Sequence, residues 1–149
     1  MRAIVELESP VSEEWLLKRI LFLFGREKVT SAVRDEFNNI IRDCSYYNIK
    51  RKNGFLYSQD KAIPMLRVPP ENATVIREVK YISVEELALG MKEILKQNIA
   101  VEKSGLFRLL VQQLGFSRIG DAMLDHLHDA LRLISNEIEF NGEMISLKQ

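Results

Sequence analysis

Apolar residues at 84, 87, 88, 91, 94 and 95 recur with the period of an amphipathic helix. Ser83-Val84-Glu85-Glu86 stands in front of them as a capping box. In it the Ser83 hydroxyl accepts from the Glu86 N–H, and the Glu86 side chain reaches back toward Ser83. Ile82 and Leu87 are spaced to staple this start, and the helix is expected to end near Gln97-Asn98. A short extended piece, 99–101, leads to a second helix over about 102–114. It carries Leu106, Leu109, Leu110 and Leu114 on one face and Gly115 as its cap. Ser117 is the predicted N-cap of a third helix reaching about 134, with Ile119, Ala122, Met123, Leu127, Ala130, Leu131 and Ile134 turned inward. The period then drops to two: Ile138 and Phe140 alternate with glutamates. Asn141-Gly142 signals a hairpin that returns through Met144–Leu147.

The pattern occurs twice. At an offset of 90, residues 1–42 read like 91–132 without a gap, with eight identities: Met1, Ile4, Val11, Leu16, Gly25, Ala32, Asp35 and Arg42. Between them apolar positions stay apolar, as in Leu17/Phe107, Ile20/Leu110, Phe24/Leu114 and Phe37/Leu127. In the first copy a Ser12 cap opens a helix over 13–24 that stops at Gly25. A third helix is predicted over about 28–43. A hairpin follows, with strands 46–50 and 55–57 about an Asn53-Gly54 turn. Residues 1–7 align with the last two turns of the helix at 84–97, so the first copy is expected to lack most of its first helix. Either a longer chain supplies the rest or the unit makes do with a stub.

The order helix, short strand, helix, helix, hairpin is that of a winged helix. The fold expected is therefore mostly α, of α+β class: tandem winged-helix-like units, each a helix-turn-helix with a hairpin wing. The expected division is 1–57, an ordered linker at 58–82, and 83–147. Pro64, Pro69 and Pro70 forbid a continuous helix in that linker, and no Gly/Ser-rich run makes it floppy.

Composition narrows the function classes. The 149 residues carry 21 basic and 21 acidic side chains, so the chain is no strongly basic nucleic-acid binder overall. Residues 26–52 nevertheless hold seven Lys/Arg against four acids. No run approaches the roughly 18 apolar residues of a membrane helix. The N-terminus alternates charged and apolar residues, unlike a signal peptide. Cys44 is the single cysteine, which excludes an internal disulfide and fits a reducing, cytoplasmic setting.

In the first unit Lys28, Ser31, Arg34, Asn38 and Arg42 lie off the apolar stripe of the third helix, and Lys50-Arg51-Lys52 form a basic wing. Arg and Asn read guanine and adenine edges, and lysines meet phosphates. Duplex DNA, rather than single strands, is the expected partner. Tyr46, Tyr47, Phe55 and Tyr57 flank the wing and are expected to pack across its strands. The second unit shows Asp121, Asp125 and Asp129 on its third helix and glutamates on its wing, which suits packing or protein contact. His126 and His128 point about 200° apart on a helix and cannot share one ion, so no metal site is expected. No acid, base and nucleophile cluster, and no phosphate loop, is present. No catalytic residue or cofactor is expected.

Val11–Ile20 and Phe24–Ser31 resemble the uncharacterised C-terminal domain of large bacterial superfamily I helicase-related proteins. Those proteins often carry a restriction-endonuclease-like domain just upstream. The resemblance implies an accessory, non-catalytic role beside helicase or nuclease domains. The alternative is a protein-interaction or homodimerisation module that touches no nucleic acid, which the zero net charge favours.

Overall fold

The structure is a computed structural model that describes all residues except Asp43, Asp60, Lys61, Pro64, Thr74 and Gln149. It divides into two compact units, Met1–Ile63 and Pro64–Gln149. The class is mixed α+β. Among the described residues there are six α-helices and two small antiparallel sheets of three strands.

In the first unit, α1 (Arg2–Glu8) is followed by β1 (Val11–Ser12), α2 (Glu13–Leu23), α3 (Ser31–Arg42), β2 (Ile49–Lys52) and β3 (Phe55–Ser58). The strand order is β1-β3-β2. Ser12 caps α2, its hydroxyl accepting from the Trp15 N–H at 3.4 Å. Val5, Leu16, Leu17, Ile41, Ile49 and Leu56 are buried in one core, with Cys44 among them. Cys44 donates its thiol to the Ile49 carbonyl at 3.6 Å. Trp15 packs half-buried on this core.

The second unit repeats the order: α4 (Val84–Gln97), β4 (Val101–Glu102), α5 (Lys103–Gln113), α6 (Asp121–Leu133), β5 (Ile138–Asn141) and β6 (Met144–Leu147). Its sheet order, β4-β6-β5, matches the first. The repeat extends to the joints. Gly25 and Gly115 take φ of 66° and 86° just past α2 and α5. Arg26 N–H then donates to the Leu21 carbonyl at 2.9 Å, and Phe116 N–H to that of Val111 at 3.0 Å. Both are the same glycine-dependent helix stop. α1 has 7 residues where α4 has 14.

Four features depart from the sequence pattern. Ser117 does not cap α6. That helix starts at Asp121 after Gly120, three residues late, and Ile119 lies outside it. α3 likewise starts at Ser31 instead of 28, because the Thr30 hydroxyl accepts from the Val33 N–H at 3.3 Å. The Ser83 hydroxyl does accept from the Glu86 N–H, at 3.1 Å. The Glu86 side chain, however, turns to Arg67 and Arg77, whose cations outcompete a backbone N–H for a carboxylate. Finally, residues between 64 and 82 belong to the second unit: Leu66, Val79, Tyr81 and Ile82 are buried, and Val79–Tyr81 forms a 3-10 turn. Burial of these apolar residues joins the stretch to the second unit, where the sequence pattern predicts an ordered linker over 58–82.

The hairpins also differ at their tips. In the first, Asn53 and Gly54 both take positive φ, 50° and 75°, as a type I′ turn needs. In the second, Asn141 pairs with Met144, so the turn is Gly142-Glu143. The Asn-Gly pairs are therefore not equivalent, and the repeat offset is 89 within the hairpins.

Gly90 marks where α4 is packed most closely. A Cβ there would lie 2.7 Å from both Leu110 Cδ1 and Leu66 Cδ2. Gly90→Ala gains roughly 1 kcal/mol of helix propensity but overpacks this seam. We expect a net loss of about 1–2 kcal/mol in a urea titration. A stabilised variant would show that Leu66 yields freely.

Candidate nucleic-acid interface

α3 is two-faced. Phe37 and Ile41 are buried, while Ser31, Arg34, Asn38 and Arg42 are exposed. Arg34, Asn38 and Arg42 follow one another at i, i+4 and i+8, one ridge of a helix. Lys28 is exposed but precedes the helix, on the loop that Thr30 ends by capping α3. The Arg42 guanidinium donates to Asn39 Oδ1 at 2.9 Å, which holds it against its own helix.

The β2–β3 hairpin sorts its cations by strand alternation. Arg51 lies across from Leu56, whereas Lys50 and Lys52 lie across from Tyr57 and Phe55. Successive side chains point to opposite faces, so Lys50 and Lys52 share one face and Arg51 takes the other. There Arg51 donates to both carboxylate oxygens of Glu13, Nε at 2.6 Å and Nη2 at 2.8 Å. This bond raises the guanidinium's already high pKa. Arg51 is thus a clamp from the hairpin to the start of α2. It stands beside a backbone bond in which Glu13 N–H donates to the Gly54 carbonyl at 2.9 Å. The eight residues proposed from the sequence do not form one free basic surface. Arg34, Arg42, Lys50 and Lys52 are exposed on ordered elements, with Arg42 bonded to Asn39, and Arg51 is tied to Glu13.

Two aromatic side chains take a different place from the one expected. Tyr46 and Tyr47 lie in a 3-10 turn, Cys44–Tyr47, and not in a strand. Asn48, with φ of 57°, breaks the chain direction before β2 begins. Tyr46 is 87% exposed, edge-to-face with Tyr47 at 5.5 Å. An Asn just before the strand was the one signal for this turn. Phe55 and Tyr57 do sit in the hairpin.

The corresponding surface of the second unit is acidic. Asp121, Asp125 and Asp129 are exposed along α6, and Arg132 is paired with Asp129 at 2.7 Å. At the second hairpin, Glu137 just before β5 pairs with Lys92 at 2.6 Å, and Glu139 accepts from Ser146 at 3.2 Å. His126 Nε2 hydrogen-bonds the Ile82 carbonyl at 2.7 Å, and His128 meets the Phe107 ring edge-on at 5.1 Å. Both histidines are used in packing. Among the described residues no group of three or more His, Cys, Asp or Glu is arranged to hold a metal, and no helix is long and apolar enough to cross a membrane. Compared with protein-family models, curated proteins and solved structures, the chain matches none.

Proposed function

We propose that the first unit is a winged-helix-like DNA-binding unit, with α3 as its groove-facing helix and the β2–β3 hairpin as its wing. The observation that carries the reading is the exposed ridge Arg34-Asn38-Arg42 on α3, together with Lys50 and Lys52 on one face of the wing. Such a set supplies base-edge readers from the helix and phosphate contacts from the hairpin. Exposed Tyr46 offers a stacking surface as well, which suits a site where duplex and unpaired strand meet. The second unit, acidic on the equivalent helix and wing, acts on this reading as scaffold or protein contact. The module serves a helicase- or nuclease-related system; the resemblance of residues 11–31 is what supports that part.

The test is a titration of fluorescent duplex and single-stranded DNA with the full chain at two salt concentrations. Binding should weaken with salt, with a logarithmic slope of about −0.9 per phosphate engaged. Changing Lys50 and Lys52 together to Ala should lower that slope by about 1–2 and weaken binding roughly tenfold on any sequence. Arg51→Ala should cost little affinity, because Glu13 already neutralises it. No binding at low salt, or binding indifferent to the double change, would overturn the proposal.

A further inference from the structure

Position for position, the first unit leaves open a face that the second unit covers. Phe24 is equivalent to Leu114 and Ile40 to Ala130. Phe24 is 77% and Ile40 52% exposed, whereas Leu114 is 1% and Ala130 0% exposed. In the second unit the first half of α4, through Leu87 and Ala88, joins Leu114 and Ala130 in one core. Leu66 closes over Gly90, and Ile76 over Gly115. In the first unit α1 is equivalent to the second half of α4 alone, and a Cβ at Gly25 would meet nothing within 4 Å. The matching space is a groove of about 640 Å³ lined by Met1, Ile4, Ile20, Phe24, Phe37 and Ile40. Leu23 also lines it, and Phe22 is exposed beside it in sequence.

We propose that this groove is a docking site for an amphipathic helix of a separate polypeptide, seated in line with α1. The second unit shows what fits: the first two turns of α4 present Val84, Leu87 and Ala88 to a surface of the same design. Helix-in-groove recognition reads such i, i+3, i+4 anchors. The charges refine the partner. Arg26 and Glu36 also line the groove. Among the described residues no ion pair joins Arg26 or Glu36. Glu36 stands where His126 meets the Ile82 carbonyl ahead of α4. A carboxylate only accepts. The partner therefore carries a carboxylate for Arg26 and a hydrogen-bond donor for Glu36. On α3, at 100° per residue, the groove residues Val33, Phe37 and Ile40 centre roughly 130° around the helix from Arg34, Asn38 and Arg42. Helix docking and DNA contact do not compete for the same face.

The probe is a synthetic peptide copying residues 80–90, titrated to about millimolar concentration against the full chain labelled with nitrogen-15. Amide shifts should saturate and cluster at Ile4, Ile20, Phe24 and Ile40. Ile40→Glu and Phe24→Ser alter exposed positions and should keep a dispersed spectrum while weakening the peptide roughly tenfold or more. A peptide with Lys at both glutamates should also bind several-fold more weakly. Shifts that are absent, that fall only in the second unit, or that survive Ile40→Glu in a folded chain overturn the proposal. Groove shifts that grow with protein concentration, without peptide, overturn it in favour of a second copy of this chain.

Discussion

Glu86→Ala should destabilise the second unit by about 3–5 kcal/mol. The carboxylate is fully buried and fully used. Oε1 accepts from the Arg67 backbone N–H at 3.0 Å, from Arg67 Nε at 3.1 Å and from Arg77 Nη2 at 2.6 Å. Oε2 accepts from Arg67 Nη2 at 2.6 Å and Arg77 Nη1 at 3.1 Å. Arg77 also donates to the Arg67 carbonyl at 3.3 Å, so the two arginines are fixed to each other as well. Removing the shared acceptor leaves two partly buried guanidiniums facing one another. Full hydration of both would loosen their hold on α4, next to the seam where Leu66 covers Gly90.

Glu86→Gln keeps the shape and part of the acceptor capacity, so an intermediate loss is expected. Burial raises the Glu86 pKa, but the hydrogen bonds and charges of Arg67 and Arg77 outweigh it and hold the carboxyl below its ordinary 4.5. A depressed folded-state pKa contributes stability that is present above the unfolded value and is lost as pH falls through the folded one. Urea midpoints should therefore decline below about pH 4.5 more steeply in the native chain than in Glu86→Gln. A cost under about 1 kcal/mol for Glu86→Ala would mean the arginines are as well solvated without it.

That cluster shows where sequence stops being sufficient. The capping serine, the helix at 84–97 and the two glycine stops all rest on local chemistry within one turn, and they are visible in the letters. The partner of Glu86 is a tertiary choice. A glutamate at the third helical position can serve its own helix or an arginine 19 residues away, and only burial of Leu66 and Val79 brings Arg67 and Arg77 into reach. Arg51 is the same case: three adjacent cations look alike in sequence, and strand alternation plus Glu13 separates one from the others. Exposure is the least legible property. Phe24 keeps the apolar character of the repeat, so it reads as core. It is exposed because the elements covering Leu114 have no equivalent around it.

Leu16→Ala and Leu106→Ala measure the consequence of that difference. The two leucines are equivalent in the repeat, and each is fully buried. Truncating either should cost about 2–5 kcal/mol, from lost transfer energy and the cavity left behind. The same cost falls on unequal cores. Around Leu106 the first half of α4 and the residues Leu66, Val79 and Ile82 add burial that has no match around Leu16. A unit of about 60 residues has only a few kcal/mol to lose. Leu16→Ala should therefore abolish amide hydrogen-exchange protection across 13–23 and 31–42, while Leu106→Ala lowers protection across 84–97 and 103–113 without removing it. An occupant of the groove beside Leu17 and Ile20 stabilises the folded first unit by mass action. The peptide copying residues 80–90 should then restore part of the protection lost in Leu16→Ala and none of that lost in Leu106→Ala. Equal loss in the two variants would mean that the open groove carries no energetic deficit.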